Sequence, residues 1–218
     1  YFRPGGVIDI KAGVDAKGRL TFWEFENFNS GNAGLPTPYD VAAQRVAFRQ
    51  TESPLRQGSY RGLAATANHY AREMHMDALA RAAGMDPVAF RLANLKNDRI
   101  RAVLEAAATK IGWPNPSQKD RSLGIACGTE KGSYVGTAAE VMRTSDGFAV
   151  TRIVVTFECG AIVNPDGLRN QVEGSIVQGL GGALFETIRF ASGKILNGTM
   201  AEYRVPRFKD VPPIDVVL

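Results

Sequence analysis

Two stretches of this sequence combine side chains that can grip a ligand with glycines that let backbone approach it. The first is Gln57-Gly58-Ser59-Tyr60-Arg61-Gly62. Glycines bracketing a Ser-Tyr-Arg tripeptide let the chain turn sharply and expose its N–H groups. An arginine on such a loop offers a bidentate hold on an anion or a carbonyl. An ordinary turn carrying a surface arginine has the same pattern. The second stretch runs from Asn164-Pro165-Asp166 through Gln171 to Gly174 and reads as the start of a helix. A helix N-terminus presents free N–H groups and a positive dipole end, suited to phosphate or another anion. Gln171 and Gln178 lie two helical turns apart and share a face. Plain capping and glycine-mediated packing account for the same residues.

The remaining reactive side chains point to structure. His69 and His75 are six apart on one predicted helix, so they face different ways and are not an i, i+4 metal pair; surface or packing roles are expected. Cys127 and Cys159 have neither a CxxC partner nor a histidine beside them, which argues against a metal site and for buried free thiols. A disulfide between them stays open, because sequence does not fix their separation in space. Glu140 and Glu158 fall in strand patterns and are read as solvent-facing rather than as buried acids. There is no Ser-His-Asp set, Walker loop or dinucleotide fingerprint. Gly179-Leu180-Gly181-Gly182 sits inside the predicted helix instead of following a strand.

These residues need elements to hold them. Val7 to Gly13 and Arg19 to Phe25 alternate around Asp15-Ala-Lys-Gly18, a β-hairpin with Gly18 at positive φ. Asn27 to Asp40 is a Gly/Asn/Pro loop. Gln44 to Gln50 is read as a strand rather than a helix from the Pro and Gly punctuation around it. Thr66 or Asn68 is expected to cap a helix to about Ala83, with Tyr70, Met74, Ala78, Leu79 and Ala82 as its apolar spacing. Asp86-Pro87 opens a second helix, and a third runs from about Asp98 to Ile111 before Gly112 and Pro114. Strands follow at Leu123 to Cys127, Gly136 to Arg143 and Phe148 to Cys159, with a turn at Ser145-Asp-Gly147. The helix from Asn164 is predicted to reach about Thr187. Its glycines 167, 174, 179, 181 and 182 each cost roughly 1 kcal/mol relative to alanine, so a close neighbour must justify them. Short strands are expected near Ile188, Ala201 to Val205 and Ile214 to Leu218. The fold class is α+β, mixed sheets with packed helices, divided as 1–120 (hairpin, helices and the Tyr60-Arg61 loop) and 121–218 (strands and the glycine-rich helix).

Composition narrows the function classes. Net charge is +4, from 26 basic and 22 acidic residues spread along the chain, so no basic stripe suits nucleic acid. The cluster Lys96-Asn-Asp-Arg-Ile-Arg101 mixes signs and reads as a solvated helix start. No segment approaches the ~20 apolar residues of a membrane helix. The chain starts Tyr1-Phe2-Arg3-Pro4 without methionine, and the whole protein is expected to begin further upstream.

Several motifs agree in order and spacing with one family. Pro54-Leu-Arg-Gln-Gly-Ser-Tyr-Arg-Gly62, Asn68, Asp77-Ala-Leu-Ala and Gly84-Met-Asp-Pro-Val-Ala-Phe-Arg-Leu-Ala-Asn-Leu95 resemble the molybdopterin-binding subunit of the xanthine dehydrogenase and aldehyde oxidase family. So do Phe157-Glu-Cys-Gly-Ala-Ile-Val-Asn-Pro-Asp166, Gln171-Val-Glu-Gly174 and Gln178-Gly-Leu-Gly181. The helices lead directly to Gly124-Ile-Ala-Cys127 and Gly132 to Glu140, an order that resembles the isoquinoline 1-oxidoreductase beta-subunit type.

The resemblance implies a C-terminal portion of a two-lobed domain around a molybdenum–molybdopterin cofactor, in plain or cytosine dinucleotide form. The implied reaction hydroxylates an aldehyde or an N-heterocyclic aromatic with oxygen from water. By resemblance Tyr60, Arg61 and Gly62 border the cofactor and substrate, Arg61 orients them, and Gln171 approaches the pterin; no residue here is assigned as a metal ligand. The family's catalytic glutamate is expected beyond Leu218, and its Gly-Gly-Phe-Gly loop upstream, so these residues are not expected to turn over alone. Gly62 stands where the family's carbon monoxide dehydrogenases carry a copper-binding cysteine, which disfavours that activity. Two cysteines cannot ligate an iron–sulfur cluster, so a separate iron–sulfur subunit is implied, with an FAD subunit or cytochrome as electron acceptor. The subtype implies a bacterial, periplasmic rather than cytoplasmic, protein that does not span the membrane. The rival reading is a non-catalytic fragment or degenerate paralogue that serves assembly.

Overall fold

Strand alternation carries the first sheet. In the computed structural model, which describes residues 2–53, 56–145 and 147–218, β1 (Val7–Val14) and β2 (Leu20–Phe28) form the expected antiparallel hairpin. Gly18 takes φ +74°, and Asp15 accepts the N–H groups of Lys17 and Arg19 at 2.8 and 2.9 Å. Every second residue of β2, namely Trp23, Phe25 and Asn27, is buried. β3 (Ala43–Arg49) adds as a parallel strand beside β2. Pro54 and Leu55, which open the Tyr60 motif, and Asp146, within the predicted Ser145–Gly147 turn, lie outside the described residues.

Three helices follow: α1 (Ala65–Ala82), α2 (Pro87–Asn94) and α3 (Asp98–Ile111). Asp86 caps α2 by accepting from Val88 and Ala89 N–H, with Pro87 in the first turn; Asn97 caps α3, and Gly112 ends it. β4 (Arg121–Glu130), β5 (Ser133–Thr144) and β6 (Gly147–Glu158) form an antiparallel meander. α4 (Pro165–Leu184) comes next, then a two-strand ribbon of β7 (Phe190–Ala191) and β8 (Lys194–Ile195). β9 (Ile214–Val217) finally pairs parallel to β6, giving the order β4-β5-β6-β9. α3 packs closely on this sheet because Gly136 has no side chain; a Cβ there would lie 2.3 Å from the Val103 carbonyl. One apolar core runs from Trp23 and Phe25 through Met76, Phe90 and Leu104 to Ile125 and Val154. The architecture is the mixed-sheet α+β class read from the sequence.

Four expectations are corrected. α1 has Ala64 at its N-cap with no side-chain cap, and neither Thr66 nor Asn68 serves. Asn68 is instead buried inside the helix, donating to the Gly31 and Ala33 carbonyls at 3.1 and 2.9 Å and paired with Asn27. The buried face of α1 is partly polar: Arg72 and Glu73 turn inward while Tyr70 and Met74 are exposed. Glu140 is buried, not solvent-facing; it accepts from Ser117 N–H (2.7 Å), Thr151 (2.9 Å) and Arg121 (3.0 Å). Burial alone would raise its pKa, but these donors outweigh it and hold the carboxyl at about 2. Ala201 to Val205 is no strand, since a 3-10 turn at Met200–Glu202 precedes irregular chain.

Other readings stand. Glu158 is partly exposed beside Arg99. His69 and His75 pack within the fold, His75 edge-on to Trp23 at 5.6 Å. Cys127 and Cys159 are both free, Cys127 buried and Cys159 partly so. Among the described residues no helix is long and apolar enough to cross a membrane.

Candidate active-site region

The loop carrying Tyr60 and Arg61 is tied at its start to the N-terminal segment. Phe2 N–H donates to the Arg56 carbonyl (3.0 Å), and Gly58 N–H donates to the Phe2 carbonyl (3.2 Å). The chain then turns through two consecutive left-handed residues, Gly62 (φ +79°) and Leu63 (φ +49°), directly into α1. Gly62 is required there: its φ is one that L side chains rarely adopt, and a Cβ would lie 2.9 Å from Thr66 Cγ2. Tyr60 and Arg61 emerge exposed at the apex. Beside them is a cleft of about 330 Å³ whose lining includes Arg3, Asn29, Ser30, Gln57, Ser59 and Tyr60.

The glycine-rich helix comes to this loop. Asn164 caps α4 by accepting from Gly167 N–H (2.8 Å), with Pro165 in the first turn. Only Val172, Leu180 and Gly181 of its twenty residues are buried. Gln171, Gly174, Ser175, Gln178 and Gly182 follow one another at helical spacing and are all exposed. Arg61 Nη1 reaches Gln178 Oε1 at 3.5 Å, so residues 117 apart in sequence meet at the apex. Gln171 lies two turns further toward the helix start, on the same face, and does not touch Arg61. The glycines divide by neighbour. A Cβ on Gly181 would lie 3.1 Å from Pro206, whereas one on Gly174 or Gly179 would meet nothing within 4 Å. This chain therefore explains the close approach at Gly181 and leaves Gly174 and Gly179 facing open space.

Sequence reasoning missed the segment that straps this region. Tyr203 donates to Glu186 Oε1 at 2.6 Å and neighbours Tyr60; Glu186 first, then Tyr60, push the Tyr203 pKa well above the usual phenol range. Arg204 lies 3.8 Å over the Phe185 ring. Tyr203 falls in the stretch read as a strand, and no local spacing marks it.

Behind the loop sits a closed polar cluster. Tyr39 OH donates to both Glu73 oxygens at 3.1 Å and lies 3.4 Å from Cys127 Sγ. Glu73 also accepts from Arg91 Nε (2.9 Å) and Cys127 N–H (3.2 Å). Burial, then the Glu73 charge, pushes the Cys127 thiol up to about 12, so it is a neutral packing group and not a nucleophile. Burial and the Arg72 charge lower His69 to about 4. Among the described residues no group of three or more His, Cys, Asp or Glu is arranged to hold a metal ion.

A molybdopterin cofactor-binding domain matches residues 2–95, and a second matches residues 71–212, well over half of the chain. The chain belongs to the molybdopterin cofactor-binding domain family. It is 27% identical to a nicotinate dehydrogenase subunit of Pseudomonas putida over 97% of its own length, and 30% identical to the beta subunit of isoquinoline 1-oxidoreductase of Brevundimonas diminuta over 90%. It spans 22% and 26% of the lengths of those two relatives. Its fold matches the crystal structure of quinoline 2-oxidoreductase from Pseudomonas putida 86 with a TM-score of 0.83 at 13% identity, covering 96% of this chain and 54% of that one.

The exposed residues fit such a cofactor. A molybdopterin is flat, anionic at its phosphate and rich in hydrogen-bonding edges. The α4 stripe offers two carboxamides, Gln171 and Gln178, separated by Gly174, where a Cβ would point into open space, and Arg61 adds a guanidinium at one end.

Proposed function

We propose that the complete protein is a molybdenum hydroxylase subunit that hydroxylates an aldehyde or an N-heterocyclic aromatic. The observation that carries this reading is the meeting of Arg61 with the exposed Gln171–Gln178 stripe of α4. It assembles hydrogen-bonding groups 117 residues apart in sequence beside open space, in a chain of the molybdopterin cofactor-binding family. The names of the relatives, a nicotinate dehydrogenase and an isoquinoline oxidoreductase, favour an N-heterocycle as substrate.

When bound, molybdopterin supplies the redox chemistry that converts C–H to C–OH with oxygen from water. The chain's own residues bind and orient. Gln171 hydrogen-bonds the pterin edge, Gly62 lets the loop backbone approach, and Tyr60 bounds the substrate side. Arg61 directs its planar N–H fork at a carbonyl or carboxylate of the substrate or at the cofactor. Residues 1–120 and 121–218 contribute to the two lobes that flank the cofactor, which is carried in its cytosine dinucleotide form. The general base is a glutamate outside these residues. A separate iron–sulfur subunit, with an FAD subunit or cytochrome as acceptor, would take up the electrons in a periplasmic complex.

The test is molybdenum content, by elemental mass spectrometry, of the complete protein purified with its partners. Near-stoichiometric molybdenum, with iron in the co-purifying subunit, is expected, and Gln171→Ala should lower the molybdenum. A properly assembled preparation without molybdenum would overturn the proposal in favour of an assembly module.

A further inference from the structure

We infer that Arg3 is a positioning residue for the Tyr60–Arg61 loop, an inference that rests on the proposed role of Arg61. Arg3 precedes β1 and nothing in its sequence context marks it. In the fold it lies under the loop. Its Nη1 is directed at the Arg61 carbonyl (3.4 Å), the Leu63 carbonyl (3.2 Å) and Thr66 Oγ1 (3.0 Å). Its guanidinium carbon lies 4.4 Å from the centroid of the Tyr60 ring, a cation–π contact. One side chain thus touches four of the seven residues from Tyr60 to Thr66.

The gripped carbonyls give the contact its meaning. They belong to Arg61, just before the left-handed pair, and to Leu63, its second member. Leucine is disfavoured at positive φ, and such a conformation persists only where its surroundings over-determine it. Arg3 supplies that restraint from below. Thr66 adds to it by donating its hydroxyl to the same Leu63 carbonyl at 3.2 Å. The turn so fixed sends the Arg61 side chain outward to Gln178, while the Tyr60 ring is held between Arg3 on its face and Tyr203 at its hydroxyl. The position of Arg3 is itself set next door, where Phe2 bridges Arg56 and Gly58. The contacts of Arg3 run to Tyr60, Arg61, Leu63 and Thr66, and it acts through Arg61 and Tyr60. A lysine would keep the charge but lose the planar multi-donor group.

The experiment uses the complete, partner-assembled protein and reads loop order and turnover separately. With Arg3→Met, amide hydrogen exchange across 60–64 should accelerate roughly tenfold or more, with molybdenum content unchanged. kcat/KM for the hydroxylated substrate should fall roughly tenfold, mainly through KM. Arg3→Lys should move both readouts the same way by less, and it serves if Arg3→Met does not assemble. In a background already carrying Arg61→Ala, adding the Arg3 substitution should lower kcat/KM by clearly less than the roughly tenfold it costs alone, because the part of its effect that runs through Arg61 is already lost. Unchanged exchange in the loop, or losses that simply multiply in the double variant, would overturn the inference. If Arg61→Ala alone leaves turnover intact while Arg3→Met still loosens the loop, the role proposed for Arg61 fails and the hold of Arg3 on the loop stands.

Discussion

Glu73 shows how much of this molecule depends on one side chain. Its carboxylate takes hydrogen bonds from Tyr39, Arg91 and the Cys127 amide and pairs with Arg72; Arg91 also pairs with Asp77 at 2.7 Å. Both guanidinium groups are almost wholly buried. Removing one partner of a buried ion pair leaves an uncompensated charge, which costs about 3–5 kcal/mol. Glu73→Gln should therefore destabilise the complete protein to chemical denaturation by about that much, and a loss under about 1 kcal/mol would mean that water reaches the cluster. His69 and Glu140 set the response to acid. His69 is held neutral, with its folded pKa at about 4 below an ordinary 6.5, so the unfolded chain takes up the proton first. Its contribution is complete above about pH 6.5 and is lost as pH falls toward 4. Glu140, at about 2 against 4.5, contributes stability above 4.5 that is lost as pH falls through 2. Thermal melts across pH should fall in both windows. His69→Gln should reduce the fall in the upper one, with burial of His75 supplying the remainder in the same direction, and leave the lower unchanged.

At the scale of elements, the local signals are direct where they concern caps, turns and alternation. Asp86, Asn97 and Asn164 each cap the helix their position implies, because a side-chain acceptor two or three residues before a free N–H is a local arrangement. α1 departs from this, because its apolar residues mark the buried face only in part: Met76, Leu79 and Ala80 are buried, but Tyr70 and Met74 are exposed. The interior beside it is polar, and Arg72 and Glu73 are drawn inward by partners on Tyr39, Arg91 and β4 that lie outside any helical window. The glycines of α4 permit a prediction that separates packing from ligand approach. Gly174→Ala meets only open space in this chain and should stabilise the cofactor-free helix, by at most about 1 kcal/mol. It should nevertheless lower molybdenum content, because the new Cβ occupies the stripe between Gln171 and Gln178. A variant that melts higher and keeps full molybdenum would place the cofactor on another face of the helix.

The whole molecule is a single apolar core faced by two sheets, with α1–α3 packed among them and α4 left mostly uncovered on the side of the Tyr60–Arg61 loop. The sequence by itself determined the helices, most of the strands, the starts of α2, α3 and α4, the Asp15–Gly18 turn and the family, since these are written in periodicities of two or 3.6 residues and in motifs whose order is linear. The tertiary structure alone decided that Glu140 is buried, that Arg61 meets Gln178 rather than Gln171, that Tyr203 straps Tyr60, and that Arg3 lies under the loop. Each of those depends on which side chains from separate elements meet in the fold, and spacing along a chain carries no record of contacts made outside a local window.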